Sequence, residues 1–362
     1  MKVISIGLDK KVLVNGSENQ NRQLEVGKLV DELHIIILGT KKVKSQKIGN
    51  THIYSTGSAS KILYFLDAIR LSRKIGKPDL ISAQDPYDSG LVAYFVSKFV
   101  KAPLHLQVHI DFFSRYFREE SLHNRLRFHI SNFLLHRADR IRVVSRKIKE
   151  YLVSDLGIDR GRIDVLPVYL NVKNIADGEI KEDLHNKYPQ FRFIILMASR
   201  LVKQKNIDLA LEVMREIPGA GLVIVGSGSE ENRLKEKAKG MDNVVFEPWT
   251  DSLISYYKTA DLFLSTSNYE GWGRTSVEAM AAGCPVVISD VGLANEFAQD
   301  GINGLIFPVG NKQKLIEKIT TVMKNNDLRG KLIDNAKESI NRLMSRQDYL
   351  DKYYQSWQNS FS

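Results

Sequence analysis

Cysteine is almost absent from this 362-residue chain, and metal-binding patterns are missing altogether. The single Cys284 lies in the apolar run GCPVV, which excludes an intrachain disulfide or a cysteine metal cluster and reads as a small buried hydrophobe. No Asp-x-Asp pair occurs, and the eight histidines form no tight ligand set with carboxylates, so no catalytic divalent metal is indicated. No apolar run approaches the roughly 18 residues that cross a bilayer. The opening MKVISIGLDKK lacks the apolar core of a signal peptide, so a cytoplasmic protein is expected.

Negative charge is scarce in the first half. Residues 1–170 hold 28 Lys+Arg against 17 Asp+Glu, whereas residues 171–362 hold 24 against 25. Such asymmetry fits an anionic partner for the first half, or simply a basic solubilising surface. Between Arg115 and Lys149, ten basic residues interleave with Phe117, Leu122, Leu126, Phe128, Phe133 and Leu134. That mixture suits a basic amphipathic helix lying on the anionic inner face of the plasma membrane, or a core-packed helix with a solvated basic face. No nucleic-acid recognition motif accompanies the charge, and no nucleic acid is expected as a partner.

Short β-rich runs alternate with helical periods along the whole chain. In the first half the strands are expected at Lys2–Gly7, His34–Gly39, Leu80–Ala83, Leu104–His109, Arg140–Ser145 and Ile163–Leu166. The second half repeats the pattern at Phe191–Ala198, Gly221–Gly226, Val244–Pro248, Leu262–Ser265, Pro285–Ser289 and Gly304–Phe307. The fold class is therefore α/β, with two Rossmann-like domains: 1–168 and 169–345. Residues 168–190 mix Pro, Gly and charges without period, as a hinge would. The aromatic tail, 346–362, needs a surface on which to bury.

The densest chemistry lies in NYEGWGRTSVEAMAAGCPVVISD, residues 268–290. A strand ends before Glu270, and a helix opens by Thr275, so Gly271, Trp272, Gly273 and Arg274 form a turn at a helix N-terminus. Backbone N–H groups and the positive end of the helix dipole favour a phosphate there. Glu270 and Glu278 flank the turn as acceptor-only groups suited to sugar and ribose hydroxyls; two ordinary solvated glutamates are the alternative. A second loop, Ala198 to Asn206, carries Arg200, Lys203 and Lys205 between a strand and a helix, where phosphate is met. Gly226-Ser227-Gly228 starts like a dinucleotide fingerprint, but Glu231 replaces the third glycine and argues against hydride chemistry. Gly226, Gly228 and Phe246 remain candidates beside a nucleotide base or ribose.

The 270–287 stretch resembles the E-x7-E segment of retaining glycosyltransferases of family 4, and Arg200-Leu201 with Lys205 resembles their R-L-x-x-x-K signature. The resemblance implies the GT-B fold, two Rossmann-like domains facing a cleft, with a final helix crossing back onto the first domain. It places the donor diphosphate on Arg200 and Lys205, the nucleotide on Glu278 and the transferred sugar on Glu270. His109, at a strand end, matches a histidine that contacts the sugar, although a lone strand histidine is also a common structural residue. Gly16, Asp85 and Asp111 are acceptor-side candidates. The loop Gly7-Leu8-Asp9-Lys10-Lys11 departs from the glycine-rich loop of many relatives.

These expectations describe a metal-independent, retaining glycosyltransferase whose nucleotide-diphosphate sugar is a co-substrate rather than a cofactor. The acceptor is a glycan or glycolipid of cell-surface assembly, with an anionic membrane surface as a further partner. A sugar-nucleotide epimerase and an inactive sugar-nucleotide-binding protein are the competing readings.

Overall fold

The computed structural model describes residues 1–250 and 253–361. Two compact units form: Met1–Pro167 with Ser345–Ser362, and Val168–Met344.

Among the described residues, the first unit is built on β1 (Lys2–Gly7), β2 (Glu32–Ile37), β3 (Gln46–Ile48), β4 (Thr51–Ser55), β5 (Leu80–Ala83), β6 (Leu104–Val108), β7 (Arg140–Val143) and β8 (Ile163–Val165). They form one sheet in the order β3-β4-β2-β1-β5-β6-β7-β8, parallel throughout except for the antiparallel pair β3 and β4. Near-continuous apolar runs explain why β1 and β2 are buried on both faces, whereas β5 to β7 also bury the polar Ser82, His105, Gln107 and Arg142.

The second unit carries β9 (Phe193–Ala198), β10 (Ala220–Val225), β11 (Val244–Glu247), β12 (Leu262–Ser265), β13 (Val286–Ser289) and β14 (Leu305–Phe307). Their order, β11-β10-β9-β12-β13-β14, is the doubly wound arrangement of a Rossmann-like sheet. The chain direction of winding reverses between β9 and β12, and between β1 and β5 in the first unit. At such switch points a crevice opens beyond the strands' carboxyl ends, and ligands of these folds bind there.

The expected strands all form, with ends displaced by one or two residues. The pair β3 and β4 lies outside the expectation, because QKI and THIYS are short and polar. Two other expectations need correction. Residues 168–190 are not a free hinge: they contain the helices Val172–Ala176 and Leu184–Lys187 and dock within the second unit. Lys258 Nζ donates to the carbonyls of Ala176 (2.7 Å) and Gly178 (2.6 Å), and Lys181 N donates to Ser255 Oγ at 2.8 Å. Helices of four and five residues are too short to leave a period in the sequence.

The basic stretch from Arg115 is likewise not one helix. It divides into helices Arg115–Glu120 and Leu122–Leu135, then β7, then helix Arg146–Ser154. Arg142 is buried on β7, Arg140 is paired with Asp164, and Arg127 is paired with Asp88. Open to solvent are Arg115, Arg118, Arg125 and Arg137, together with a stripe of Leu122, Leu126 and Phe133 spaced to share one helix face.

The aromatic tail buries on the first unit. Helix Arg346–Gln358 starts in a Ser345/Asp348 capping box and packs against β7, with Tyr349, Tyr353 and Trp357 buried.

Candidate functional site

In the second unit the two basic and acidic loops meet at the switch point. The loop after β9 and the loop after β12 are sewn together by backbone and side-chain bonds. Asn268 N donates to Gln204 O (2.8 Å), Gln204 Nε2 donates to Tyr269 O (2.9 Å), and Thr266 Oγ1 donates to the carbonyls of Lys205 and Asn206 (2.9 Å each). This stitching holds Lys205 against Glu270: the ammonium pairs with Glu270 Oε1, which also accepts from Ser267 Oγ at 2.8 Å. Both side chains are about five-sixths buried, at 16% and 14% exposure, so the pair is screened little by solvent. A small polar pocket lies beside it, lined by Ser199, Lys205, Ser265, Thr266, Ser267 and Thr275.

Arg200 reaches Gln204 Oε1 at 3.3 Å. Gly273, in the left-handed region at φ 101°, turns the chain into helix Arg274–Ala281. One turn in, Glu278 accepts from Tyr257 OH at 3.1 Å and faces Arg274 at 3.5 Å. Burial first, and the Glu278 charge next, raise the Tyr257 pKa well above its ordinary value, so the phenol stays a donor to Glu278. Trp272 is buried against Phe297, so its side chain serves the fold of the turn.

Three candidates have structural partners of their own. A side chain at Gly226 would strike the Ser199 carbonyl at 1.9 Å, and one at Gly228 the Leu201 carbonyl at 2.2 Å. The two glycines therefore let the 226–228 turn press on the Arg200 loop, where Leu201 N donates to Ser227 O at 2.8 Å. Phe246 packs on the hydrophobic core of the unit rather than standing open at the strand end.

In the first unit His109 stands one residue past β6, and Asp111 follows. His109 Nε2 lies 3.1 Å from Gln107 Oε1. His109 is exposed to solvent. Desolvation by the protein packed beside it, then the Arg142 charge, lowers its pKa, so the imidazole is neutral at pH 7. Asp85 is committed to the start of helix Asp88–Val100, its carboxylate accepting from Tyr87 N (3.0 Å), Ser89 N (3.1 Å) and Ser89 Oγ (2.6 Å). Gly16 sits in a left-handed turn at φ 74° with open space where a Cβ would be.

Asp111 accepts from Ser114 N at 2.8 Å, and burial pushes its pKa up to about 6. A carboxyl with a raised folded-state pKa stabilises the fold below about pH 4 and loses that contribution as pH rises through 6. Asp111→Asn is therefore expected to gain thermal stability over the parent above pH 6, with no gain at pH 4. Melting curves from pH 4 to 8 check it; a gain equal at both ends would mean that Asp111 is not desolvated.

Sequence reasoning missed Gln204, Ser267, Tyr257, Gln107 and Arg142. Gln107 carried a signal: by two-residue alternation it shares a strand face with His105 and His109, and a polar triplet on a buried face calls for partners.

A model of glycosyl transferases group 1 matches residues 181–339, and one of glycosyltransferase family 4 matches residues 29–172. The chain belongs to the family 4 glycosyltransferases. This family 4 chain is 33% identical over 173 residues to the poly(glycerol-phosphate) alpha-glucosyltransferase of Bacillus subtilis, covering 46% of the chain and 26% of that protein. It is 28% identical over 207 residues to the lipopolysaccharide core biosynthesis glycosyltransferase LpsE of Rhizobium meliloti, covering 56% and 59%. It thus spans about a quarter and three-fifths of the length of these curated relatives. Among solved structures, sucrose-phosphate synthase from Thermosynechococcus elongatus shares the fold, with a TM-score of 0.81 at 18% identity, over 100% of this chain and 99% of that one. Anabaena Alr3699/HepE in complex with UDP gives 0.76 at 17% identity, over 98% and 99%.

Proposed function

We propose that this family 4 chain is a retaining glycosyltransferase that moves a sugar from a nucleotide-diphosphate donor to a glycan or glycolipid acceptor without a metal. The observation that carries the reading is the Lys205–Glu270 pair, set at the switch point of the second sheet with Arg200, the Gly273 turn and Glu278 around it. Lys205, Arg200 and the helix N-terminus supply a fixed positive field for the diphosphate. Glu270 offers acceptor oxygens to sugar hydroxyls, and Glu278 offers them to a ribose. The C1–O bond to the diphosphate breaks as the acceptor oxygen bonds to C1 on the same face. The acceptor proton then passes to the departing phosphate oxygen beside it. Positive charge building at C1 is stabilised by the Glu270 carboxylate.

The names of the relatives, which include acceptors of glycerol-phosphate, ribitol-phosphate and lipopolysaccharide type, favour envelope glycan assembly. A thermal-shift panel of UDP-, GDP- and ADP-sugars tests donor binding, since a ligand held only by the folded state raises the melting temperature. Release of free nucleoside diphosphate only on addition of acceptor tests transfer. No shift with any donor rejects the reading, and an epimerised sugar without acceptor replaces it with an isomerase. Activity is expected to survive EDTA; loss restored only by a divalent ion would reject the metal-free step.

Attachment to an anionic membrane belongs to the same proposal, carried by the exposed stripe Leu122, Leu126 and Phe133 next to Arg125. Tyr94 of the neighbouring helix stacks edge-on to Phe133, and Arg137 lies 3.6 Å over that ring, so the face joins aromatic and cationic groups. Co-sedimentation with anionic liposomes at low salt is expected, with release at high salt. Leu126→Ser with Arg125→Ser is expected to abolish it; sedimentation unchanged in that variant would move the contact elsewhere.

A further inference from the structure

The buried polar groups of the first unit form a chain that ends at His109. Gln107 is buried on β6, and its two amide atoms face different partners. Nε2 lies 3.0 Å from Tyr353 OH and 3.2 Å from Ser82 Oγ, whereas Oε1 lies 2.9 Å from Arg142 Nη1 and 3.1 Å from His109 Nε2. A guanidinium has donors and no acceptor, so the amide atom facing Arg142 is necessarily the oxygen. The same oxygen faces the imidazole. His109 Nε2 must therefore carry the proton and donate, which leaves Nδ1 as a lone pair. Two positive groups sharing one carbonyl oxygen would repel, so the Arg142 charge also keeps the imidazole neutral.

Arg142 is fixed in turn from the far end of the chain. Its guanidinium lies 4.5 Å over the Tyr353 ring and 3.4 Å from Tyr349 OH, both on helix Arg346–Gln358. The same helix bonds the sheet a second time, through Ser356 Oγ at 3.1 Å from His105 Nε2, while His105 Nδ1 lies 3.0 Å from Ser82 Oγ. The aromatic tail is thus part of the histidine's setting rather than a cover for the sheet alone.

We propose that Arg142, Gln107 and Tyr353 are positioning residues that lock His109 in the Nε2–H tautomer, so that its exposed ring offers Nδ1 only as a hydrogen-bond acceptor. The consequence is a selection rule: a ligand group facing Nδ1 must be a hydrogen-bond donor such as a hydroxyl, and a carboxylate there sets lone pair against lone pair.

Nitrogen-15 NMR of histidine-labelled protein at pH 7 tests the lock. The expected spectrum has His109 Nε2 protonated and Nδ1 bare. In Arg142→Met nothing fixes the amide, so its NH₂ can turn toward the ring and the Nδ1–H tautomer is expected to become populated. Gln107→Glu, which presents an acceptor whichever way it turns, is expected to retain the Nε2–H form. Tyr353→Phe keeps the fold least disturbed and is expected to give an intermediate population. Nδ1–H in the parent protein, or an unchanged tautomer in both Arg142→Met and Tyr353→Phe, overturns the lock.

Discussion

Lys205→Ala is expected to weaken nucleoside diphosphate binding by about tenfold to a hundredfold, the loss of one charge-assisted contact of about 1.5–3 kcal/mol. Two effects add. The diphosphate loses its ammonium partner, and Glu270 is left with its counter-charge removed at 14% exposure. The second effect also reaches the free protein, because an unpaired carboxylate in that position raises the cost of folding. Titration calorimetry measures the first and thermal unfolding the second. The double variant Lys205→Ala with Glu270→Gln is expected to recover the stability and not the affinity, since the residues are coupled as a pair. Arg200→Ala should cost less, because Arg200 contacts Gln204 at 3.3 Å and, among the described residues, pairs with no carboxylate. Wild-type affinity in both single variants would remove these cations from the donor site.

The reason Lys205 and Glu270 can be read from sequence is local. Each follows an apolar β-run that breaks at a polar loop and continues as a helix, and in a doubly wound sheet such loops gather at one edge. Their meeting is a property of strand order, since β9 and β12 are neighbours although 65 residues separate the pair. Propensity cannot supply that order; the family resemblance only assigned the two loops to one donor. Gln204 and Ser267, which hold the pair in place, carry no local mark, because a polar loop residue looks the same whether it faces solvent or a second loop. Gly226 and Gly228 show the converse. Their spacing marks a close approach, and the approaching atoms are the carbonyls of Ser199 and Leu201, which only coordinates reveal. Asp85 was legible as a carboxylate at a strand end, but its helix-capping bonds depend on the Ser89 hydroxyl four residues on.

The fold itself was legible where apolar runs were long. Strands such as FIILMA and GLVIV are buried on both faces and could be nothing else in a chain alternating with amphipathic helices. The short pair β3 and β4 was not, because three and five polar-rich residues bury too little to stand out. The 168–190 segment misled for a related reason: its many charges suggest solvent, yet Lys187 pairs with Glu247 at 2.7 Å and Tyr188 and Tyr256 both bond the same carboxylate. Charge density in sequence says nothing about whether a partner waits in space.

The two glutamates of the turn are expected to separate binding from turnover. Glu278 lies one helical turn from the anion cradle, held by Tyr257 and Arg274, which leaves it as a fixed acceptor suited to a ribose present equally in ground and transition states. Glu278→Gln should therefore raise KM for the donor and weaken nucleoside diphosphate binding while leaving kcat within a few-fold, the pattern of uniform binding. In the proposed transfer Glu270 faces the sugar, where charge develops only as the glycosidic bond breaks. Glu270→Gln keeps the shape and one acceptor oxygen but removes the negative charge, so kcat is expected to fall by about a hundredfold, near 2.7 kcal/mol of transition-state stabilisation. The affinity for nucleoside diphosphate should change little or rise, because neutralising Glu270 frees Lys205 for the phosphates. Steady-state kinetics and diphosphate titrations on the two variants decide the matter. Parallel losses in kcat and affinity for both would mean that the carboxylates act as one electrostatic unit, and the division of labour would be lost; a fall in affinity for Glu270→Gln alone would move the diphosphate to the sugar side of the Lys205–Glu270 pair.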